Sequence, residues 1–292
     1  MHRTLLLAGV LLLPSAGVFA ASGQQAPPPT LVVAAPGETQ ELVMVDGSKL
    51  YGCVERVESD RVTFRTISGT SVEIDKAQVA SLRRVEGHMV EGVFWKADPN
   101  PTRLFFGPTG RSVKAGEAYA GVYEILMPFV QVGITDRISI GGGTPLVYMG
   151  GTRRPFWITP KIQVLKTAST QAAIGAMHFL NLEDGSLGIA YGVVTQGSTD
   201  SAVSVGLGYG YERSGRSSNG AAVVMLAGEH RVSGGIKLVT ENYIFKGGGI
   251  ATAGARWFGE HLSVDFGMVV PLGIDEFVML PIVNVVWQFS RR

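Results

Sequence analysis

The sequence predicts an all-β protein, a transmembrane β-barrel of about twelve antiparallel strands preceded by a small β-domain. From Gly121 to Phe289, segments of roughly ten residues alternate apolar with small or polar side chains, which is the pattern of barrel strands. The connections between these segments are alternately short and long. Only 17% of residues are charged and 39 are glycine, a composition that is unusual for a water-soluble globule.

The chain begins with the layout of an export signal. A basic start precedes an apolar run from Leu5 to Leu13, and the small residue Ala20 suits cleavage, so 1–20 is predicted to be a signal peptide. No later apolar run approaches the ~20 residues of a membrane-spanning helix. Residues 21–37 are rich in proline, which favours an extended linker.

Residues 38–86 are predicted to form a small periplasmic β-domain, because short alternating runs are separated by turn signals such as Asp46-Gly47 and Ser68-Gly69. The segment resembles SH3-like or Sm-like small β-barrels at Asp46, Gly47, Ser48, Leu50, Gly52, Val54, Val57, Asp60, Val62, Phe64, Gly69, Val72 and Ile74. The resemblance implies a binding or spacer module and brings no site residues. A second linker, 87–102, would join it to a barrel at 103–292.

Individual strands show which face meets lipid. Val203, Val205 and Leu207 share one face of the segment from Ser201 to Tyr211, opposite small residues. The other strands predict a polar lumen lined by Thr159, Lys161, Gln163, Arg256, Asp265, Asn284 and Gln288.

The count of about twelve strands takes Arg103 to Gly107 as the first strand and 111–118 as the first outer loop. Further long outer loops are predicted at 147–154, 181–186, 212–219, 246–248 and 273–279. Both ends of the barrel would then be periplasmic. Aromatic residues near strand ends predict girdles at the two membrane surfaces, at Trp157, Tyr209, Tyr211, Tyr243, Phe245, Trp257, Trp287 and Phe289.

With these features the chain resembles bacterial outer-membrane β-barrel proteins of the porin-like kind. The closing run Val285 to Phe289 resembles the aromatic-ended last strand that barrel-assembly machinery recognises. The segments at 103–111, 121–125 and 141–145 resemble a group of such barrels, and this resemblance implies no activity.

One set of residues could carry chemistry. His261, Ser263 and Asp265 project to one face of a strand, and His-x-Ser in a barrel of this size resembles outer-membrane phospholipase A. The resemblance implies His261 as base and Ser263 as nucleophile. The alternative is a polar lumen wall.

Other chemistry is not indicated. The histidines lack a second metal ligand at suitable spacing, so neither a metal nor a cofactor is expected. The net charge of +1 gives no electrostatic case for nucleic acid.

The sequence therefore favours an outer-membrane porin-like channel for passive passage of small polar solutes, and not an enzyme. The alternative is a non-conducting anchor whose module at 38–86 binds a cell-wall or periplasmic protein partner. The third hypothesis is a serine lipid hydrolase. The expected partners are outer-membrane lipid and the barrel-assembly machinery.

Overall fold

A computed structural model describes residues 30–148, 154–182, 185–214 and 217–289. They divide into two compact units, with the boundary after Arg84. The predicted signal peptide, residues 21–29 of the predicted linker and the last three residues lie outside the described residues. Both units are built from strands, which confirms the predicted all-β fold.

The first unit is a five-stranded sheet of order β4-β3-β2-β1-β5. Its strands are β1 (Thr39–Met44), β2 (Lys49–Val57), β3 (Arg61–Thr66), β4 (Ser71–Asp75) and β5 (Val79–Val85). Alternate apolar residues form its core, namely Leu42, Val54, Val62, Phe64, Ile74 and Val79. The small N-terminal β-domain is thus confirmed, while its SH3-like character remains a prediction.

The turn between β1 and β2 has a clear local cause. Gly47 adopts a positive φ of 88°, and Asp46 Oδ1 accepts a 2.8 Å hydrogen bond from the Ser48 amide. The hydrogen bonds from Ser48 lower the pKa of the Asp46 carboxyl.

The second unit begins with a short hairpin of β6 (Gly87–Val90) and β7 (Val93–Lys96). A stretch without named strands follows, 97–117, which we call the plug. The remaining strands are β8 (Ala118–Tyr123), β9 (Met127–Gly133), β10 (Ile138–Gly143), β11 (Phe156–Ile158), β12 (Lys161–Lys166), β13 (Thr170–Leu182), β14 (Gly185–Gly197), β15 (Ser201–Ser214), β16 (Ser217–Ser233), β17 (Ile236–Phe245), β18 (Gly248–Phe258), β19 (Leu262–Leu272) and β20 (Leu280–Phe289).

These strands close into a barrel because β20 pairs antiparallel with β8, for example Trp287 with Ala120. The sheet has thirteen segments, but β11 and β12 both pair with β10 and β13 and are two parts of one interrupted strand, which leaves twelve. The interruption falls at Thr159-Pro160, where proline lacks the amide that the ladder needs. The predicted twelve-stranded barrel is confirmed.

Burial alternates along the strands as the sequence predicts. In β15, Val203, Val205 and Leu207 are 60%, 50% and 64% exposed, whereas Ala202 and Ser204 are buried. Exposed apolar side chains recur on neighbouring strands, including Val130, Ile140, Ile162, Ile174, Val194, Leu226, Leu238 and Phe266. The barrel therefore carries a broad apolar outer surface.

Two details of the predicted strand plan are wrong. The segment Arg103 to Gly107 is not a barrel strand, and 111–117 is not an outer loop, because both belong to the plug. The missing strand comes from the hairpin β8–β9, whose turn has positive φ angles at Glu124 and Ile125. Apolar and polar or small residues alternate on both sides of that turn, so the sequence pattern does not reveal the turn.

The predicted long loops at 181–186 and 212–219 are also wrong. The strands extend into both regions, since β13 ends at Leu182 and β14 begins at Gly185, while β15 ends at Ser214 and β16 begins at Ser217. Longer connections occur at 144–155 and 273–279, at the same end of the barrel. We call this end the loop end, and the opposite end, with turns such as 198–200 and 259–261, the short-turn end.

The aromatic girdles are found in part. Tyr209, Trp257, Trp287 and Phe289 are about half exposed on the outer surface. Trp157 and Tyr243 are wrong as girdle residues. The Trp157 side chain is 5% exposed and packs inside the barrel, and Tyr243 packs against the interior cluster and donates to the buried Glu241 carboxylate.

Candidate functional site

The plug fills the interior of the barrel. Most of its side chains between Asp98 and Val113 are buried, including Asn100, Arg103 and Phe105. It starts and finishes at the short-turn end, where the Gly116 amide donates to Gly133 O at 3.2 Å and the Ala115 amide donates to Asp136 Oδ1 at 3.1 Å. The plug is therefore a loop inserted into the lumen from that end.

The hairpin β6–β7 lies at the same mouth of the barrel. His88 Nε2 is 2.8 Å from Asp200 Oδ2 in the turn between β14 and β15. The Arg231 guanidinium carbon lies 4.8 Å from the centre of the Trp95 ring, a cation–π geometry. These contacts fix the segment that leads into the plug.

An ion cluster joins the plug to β18, β19 and β20. Asp265 Oδ1 accepts from Arg256 Nε at 2.6 Å, and Asp265 Oδ2 accepts from Arg103 Nη1 at 2.6 Å. Asn284 Nδ2 donates both to Asp265 Oδ2 at 3.2 Å and to the plug carbonyl of Phe105 at 3.1 Å. Arg256 also donates to three plug carbonyls, those of Asn100, Arg103 and Leu104.

A second ion cluster holds the base of the plug against β16 and β17. Lys237 Nζ pairs with Asp98 of the plug and, at 3.0 Å, with Glu229 Oε2. Glu229 also pairs with Arg111 at the returning end of the plug. All four side chains are at most one-tenth exposed, so the buried charges are satisfied by one another.

The plug backbone is held by wall side chains that reach into the lumen. Glu241 accepts from the amides of Phe106 at 3.0 Å and Gly107 at 2.9 Å. Lys161 Nζ donates to the carbonyl of Arg111 at 2.6 Å, and Gln163 Nε2 donates to that of Gly110 at 2.9 Å. Such contacts satisfy backbone groups that would otherwise be buried without partners.

The tip of the plug is apolar. Leu104 and Phe105 are fully buried against inward-facing residues of five strands, namely Ala173, Val193, Met225, Ala227, Val239 and Ile282. Burying two such side chains stabilises the seated plug by roughly 3–6 kcal/mol. The barrel interior thus has a packed core as well as ion pairs, and the plug occupies the space that a solute would need.

The structure places the predicted lumen residues as follows. Lys161, Gln163, Arg256, Asp265 and Asn284 are buried inside the barrel and contact the plug. Thr159 Oγ1 donates to Gln131 Oε1 of β9 at 3.1 Å. Gln288 is half-buried near the end of β20.

Two of the three residues of the hydrolase hypothesis, Ser263 and Asp265, contact the plug. Ser263 is fully buried, and its Oγ accepts from Asn100 Nδ2 at 3.4 Å. The Asp265 carboxylate is engaged by Arg103 and Arg256. His261 lies in the turn before β19, 3.9 Å from Glu260 Oε1 and packed near Trp287. An ester substrate could reach Ser263 only after the plug had left.

Sequence reasoning missed the plug side of both clusters, namely Asp98, Arg103 and Arg111, and the wall residues Glu229, Lys237 and Glu241. A signal was present, because Lys237 and Glu241 stand on an inward face with Val239. Charges of both signs on one strand face suit pairing across a filled lumen.

Within the described ranges there is no cluster of potential metal-binding side chains and no helix long and apolar enough to cross a membrane.

No family model and no curated protein matches the chain. Similar solved structures include two forms of OmpT, an outer membrane protein of Vibrio cholerae. The loop L8 deletion mutant has 11% identity over 86% of this chain and 96% of that chain, with a TM-score of 0.38. The in-vitro folded trimer form has 10% identity over 86% and 96%, with a TM-score of 0.35.

A third structure, Salmonella typhi OmpF in complex with Daunomycin, has 9% identity over 86% of this chain and 95% of that chain, with a TM-score of 0.33. At these identities and TM-scores, none of the three assigns an activity to the chain. The barrel fold rests on the closed strand ladder itself.

Proposed function

We propose that the protein is an outer-membrane β-barrel that is closed at rest by its own plug, and that its first role is structural, not conductive. The apolar outer surface of the strands supports a membrane location, because a soluble monomer rarely exposes so large an apolar area. A closed ladder leaves no unpaired strand edge in lipid.

The observation that carries the closed state is the burial of the plug among lumen side chains. An open water-filled lumen would expose Lys161, Lys237 and Arg256, yet these side chains are at most 5% exposed. Their partners on the plug are fixed by short hydrogen bonds. Removing one partner of such a buried pair costs about 3–5 kcal/mol, so the plug is not expected to leave spontaneously.

Conductance tests the proposal. The mature chain, refolded in detergent and shown to be heat-modifiable on gels, is inserted into a planar bilayer. We expect no regular current steps from the wild type. A variant in which 98–115 is replaced by a short Gly-Ser linker should give discrete steps, because the lumen loses its filling while the ladder stays closed.

The matched control replaces 274–278, in the loop-end connection between β19 and β20, by the same linker. This segment includes exposed residues such as Phe277, which is 80% exposed. The control should remain silent. Steps from the wild type comparable to those of the plug deletion would overturn the closed-barrel proposal.

A porin-like channel opened by movement of the plug is the second candidate. This candidate is favoured by the way the plug is held. Between Asp98 and Val113, the hydrogen bonds between plug and wall involve side chains; for example, the Gly110 amide donates to Thr195 Oγ1 at 2.8 Å. The plug could therefore leave without breaking the barrel ladder, and small polar solutes could then pass along the polar lumen.

A disulfide can separate the two candidates. In a Cys53→Ser background, Asn100→Cys and Ser263→Cys would tie the plug to β19. If the plug moves to conduct, voltage or a stimulus should evoke steps from the wild type and from the reduced pair, whereas the oxidised pair stays silent. Absence of steps from all three forms would reject the moving-plug channel.

The β-domain at 38–86 remains proposed as a binding module for a cell-wall or periplasmic protein partner. Its exposed surface carries ion pairs such as Arg61 with Glu73 at 3.1 Å. Full-length protein and a chain lacking this domain should be compared for co-sedimentation with isolated peptidoglycan and for cross-linked protein partners. Equal retention of both chains would reject the binding role.

A further inference from the structure

Beyond the tip of the plug, apolar side chains line the lumen up to the loop end. Leu187 shares the inward face of β14 with the buried Val193, and Leu280 shares that of β20 with the buried Ile282. Phe245 continues the inward face of β17 in the same way. Leu187, Phe245 and Leu280 are nevertheless 44%, 37% and 52% exposed, so the plug does not cover them.

The strand ladder joins these residues into rows. Trp157, Phe179 and Leu187 are paired side by side on β11, β13 and β14, and the Trp157 and Phe179 ring centres are 5.9 Å apart. Val223 pairs with Phe245, and Val269 pairs with Leu280. We call this inward-facing lining the apolar cup, namely Phe179, Leu187, Val223, Phe245, Val269 and Leu280.

Glycines keep the cup open on the side of β15. Gly208 and Gly210 face inward there, as partners of Val223 and Ala221 on β16. At Gly210 the nearest atom to an added Cβ would be 3.8 Å away, so no side chain fills the space in front of it. The cup is therefore concave and opens towards the loop end.

A recess of about 70 Å³ continues from the cup along the side of the plug tip. Met177 lines the recess and stands two residues before Phe179 on the inward face of β13, so the recess and the cup are continuous. The other apolar and aromatic side chains of the recess include Phe106 of the plug and Tyr123, Trp157 and Tyr191 of the wall. The plug closes the floor.

The two cations that line the recess do not offer their charge to a ligand. Lys161 Nζ donates to the plug carbonyl of Arg111 at 2.6 Å. Arg103 Nη1 donates to Asp265 Oδ2 at 2.6 Å, and the other two guanidinium nitrogens are closed off from solvent. Glu212 stands at the outer rim, paired with Leu187 and exposed to water. A molecule in the cup and the recess therefore meets mainly hydrocarbon and aromatic surface.

We propose that the apolar cup and its recess bind a small, uncharged, hydrocarbon-like molecule that enters from the loop end. Barrel lumens are ordinarily polar, and exposed apolar surface of this extent marks a binding site. The closed twelve-stranded wall around the cup excludes a folded partner, a second copy and the surrounding lipid, which leaves a small molecule as the occupant. Burial of apolar area on both sides drives the binding.

This inference goes beyond the closed-barrel role and rests on it in one respect, because the seated plug is the floor of the site. The test is therefore made in the oxidised Asn100→Cys and Ser263→Cys barrel with Cys53→Ser. In that barrel the plug is fixed, so a failure to bind counts against the cup and not against the seating of the plug.

Tryptophan quenching in lipid nanodiscs tests the site, because Trp157 faces the recess. The chain has four tryptophans, and changing Trp95, Trp257 and Trp287 to Phe leaves Trp157 as the only reporter. The probe is 1-bromohexane, whose bromine quenches tryptophan on contact. We expect saturable quenching of Trp157 that n-hexane reverses. The charged 6-bromohexanoate at pH 7 should require at least about tenfold higher concentration, because its carboxylate loses water without gaining a partner.

A barrel that keeps only Trp257 is the matched control for quencher dissolved in lipid. Trp257 is 54% exposed on the outer surface, so its quenching should rise without saturation and should not be reversed by n-hexane. Quenching of Trp157 that is absent, or that follows the same course as that of Trp257, would overturn the proposal. Equal potency of 6-bromohexanoate would overturn the assignment to an uncharged ligand.

Two variants locate the binding in the cup. Leu187→Asp and Ala221→Asp each place a carboxylate at an exposed inward-facing position, where the barrel tolerates it. Each should raise the half-saturating concentration of 1-bromohexane about tenfold or more. The control Phe277→Asp makes the same kind of change in an exposed connection at the same end and should leave binding unchanged. Unchanged binding in both cup variants, or equal weakening by the control, would refute the site.

Discussion

Removal of the Asp265 carboxylate should loosen the plug and the barrel together. Asp265 is fully buried and accepts from Arg256 and Arg103, both at 2.6 Å, and from Asn284 at 3.2 Å. Asp265→Ala leaves two buried guanidinium groups without their carboxylate. Breaking one buried pair costs about 3–5 kcal/mol, and we expect a loss in this range because the two pairs share one carboxylate and are not additive.

The assay is urea unfolding of the barrel in lipid vesicles, followed by tryptophan fluorescence and by heat-modifiable gel mobility. The control Asp275→Ala removes an exposed carboxylate at the loop end and should change the free energy of unfolding by at most about 0.5 kcal/mol. Asp265→Asn keeps an acceptor but loses the charge, so its loss should be intermediate. A loss for Asp265→Ala no larger than that of the control would refute the seating of the plug by this cluster.

Two further changes test packing inside the barrel. Phe105→Ala should lower the free energy of unfolding by about 3–5 kcal/mol, because it empties a fully buried site at the plug tip, whereas Phe277→Ala, in an exposed loop, should have little effect in the same titration. Gly142→Ala should reduce the yield of heat-modifiable barrel, since its Cβ would lie 2.4 Å from the carbonyl oxygen of Trp157. Gly210→Ala is the matched control, because its nearest neighbour would be 3.8 Å away, and equal yields would contradict the packing described here.

The barrel wall could be predicted from the sequence because the membrane imposes a strict pattern on each strand. Lipid requires an apolar residue at every second position, as at Val203, Val205 and Leu207, and this period of two is visible in a single segment. Closure favours an even number of strands, but the count of twelve was reached by taking Arg103 to Gly107 as a strand in place of one strand of the β8–β9 hairpin.

The plug could not be predicted because its residues satisfy the same local pattern as a strand. Arg103 to Gly107 has three apolar residues next to a charge, which suits either a strand or a buried loop. What places it in the lumen is its set of distant partners, such as Asp265 and Glu241. Asp265 was predicted to line the lumen and Glu241 was not, and a sequence does not show whether lumen charges face water or each other.

The prediction of the aromatic girdles did not separate inward-facing from outward-facing aromatic residues, because it relied on their position near strand ends. Trp157 stands near a strand end, where a girdle residue is expected, yet it shares its face with Thr159 and Lys161. The alternation along the strand was the better guide, because each side chain must follow the face of its neighbours two residues away.

Cross-linking of the plug to the wall in intact outer membranes would test the central claim most directly. With Cys53→Ser as background, the pair Asn100→Cys and Ser263→Cys joins side chains whose Nδ2 and Oγ atoms lie 3.4 Å apart in the native chain. A closed, plugged barrel predicts efficient disulfide formation and protection of both cysteines from a bulky thiol reagent, while Asn100→Cys with Asp275→Cys stays unlinked. Free, rapidly labelled cysteines in the first pair would show that the plug is not seated in the lumen.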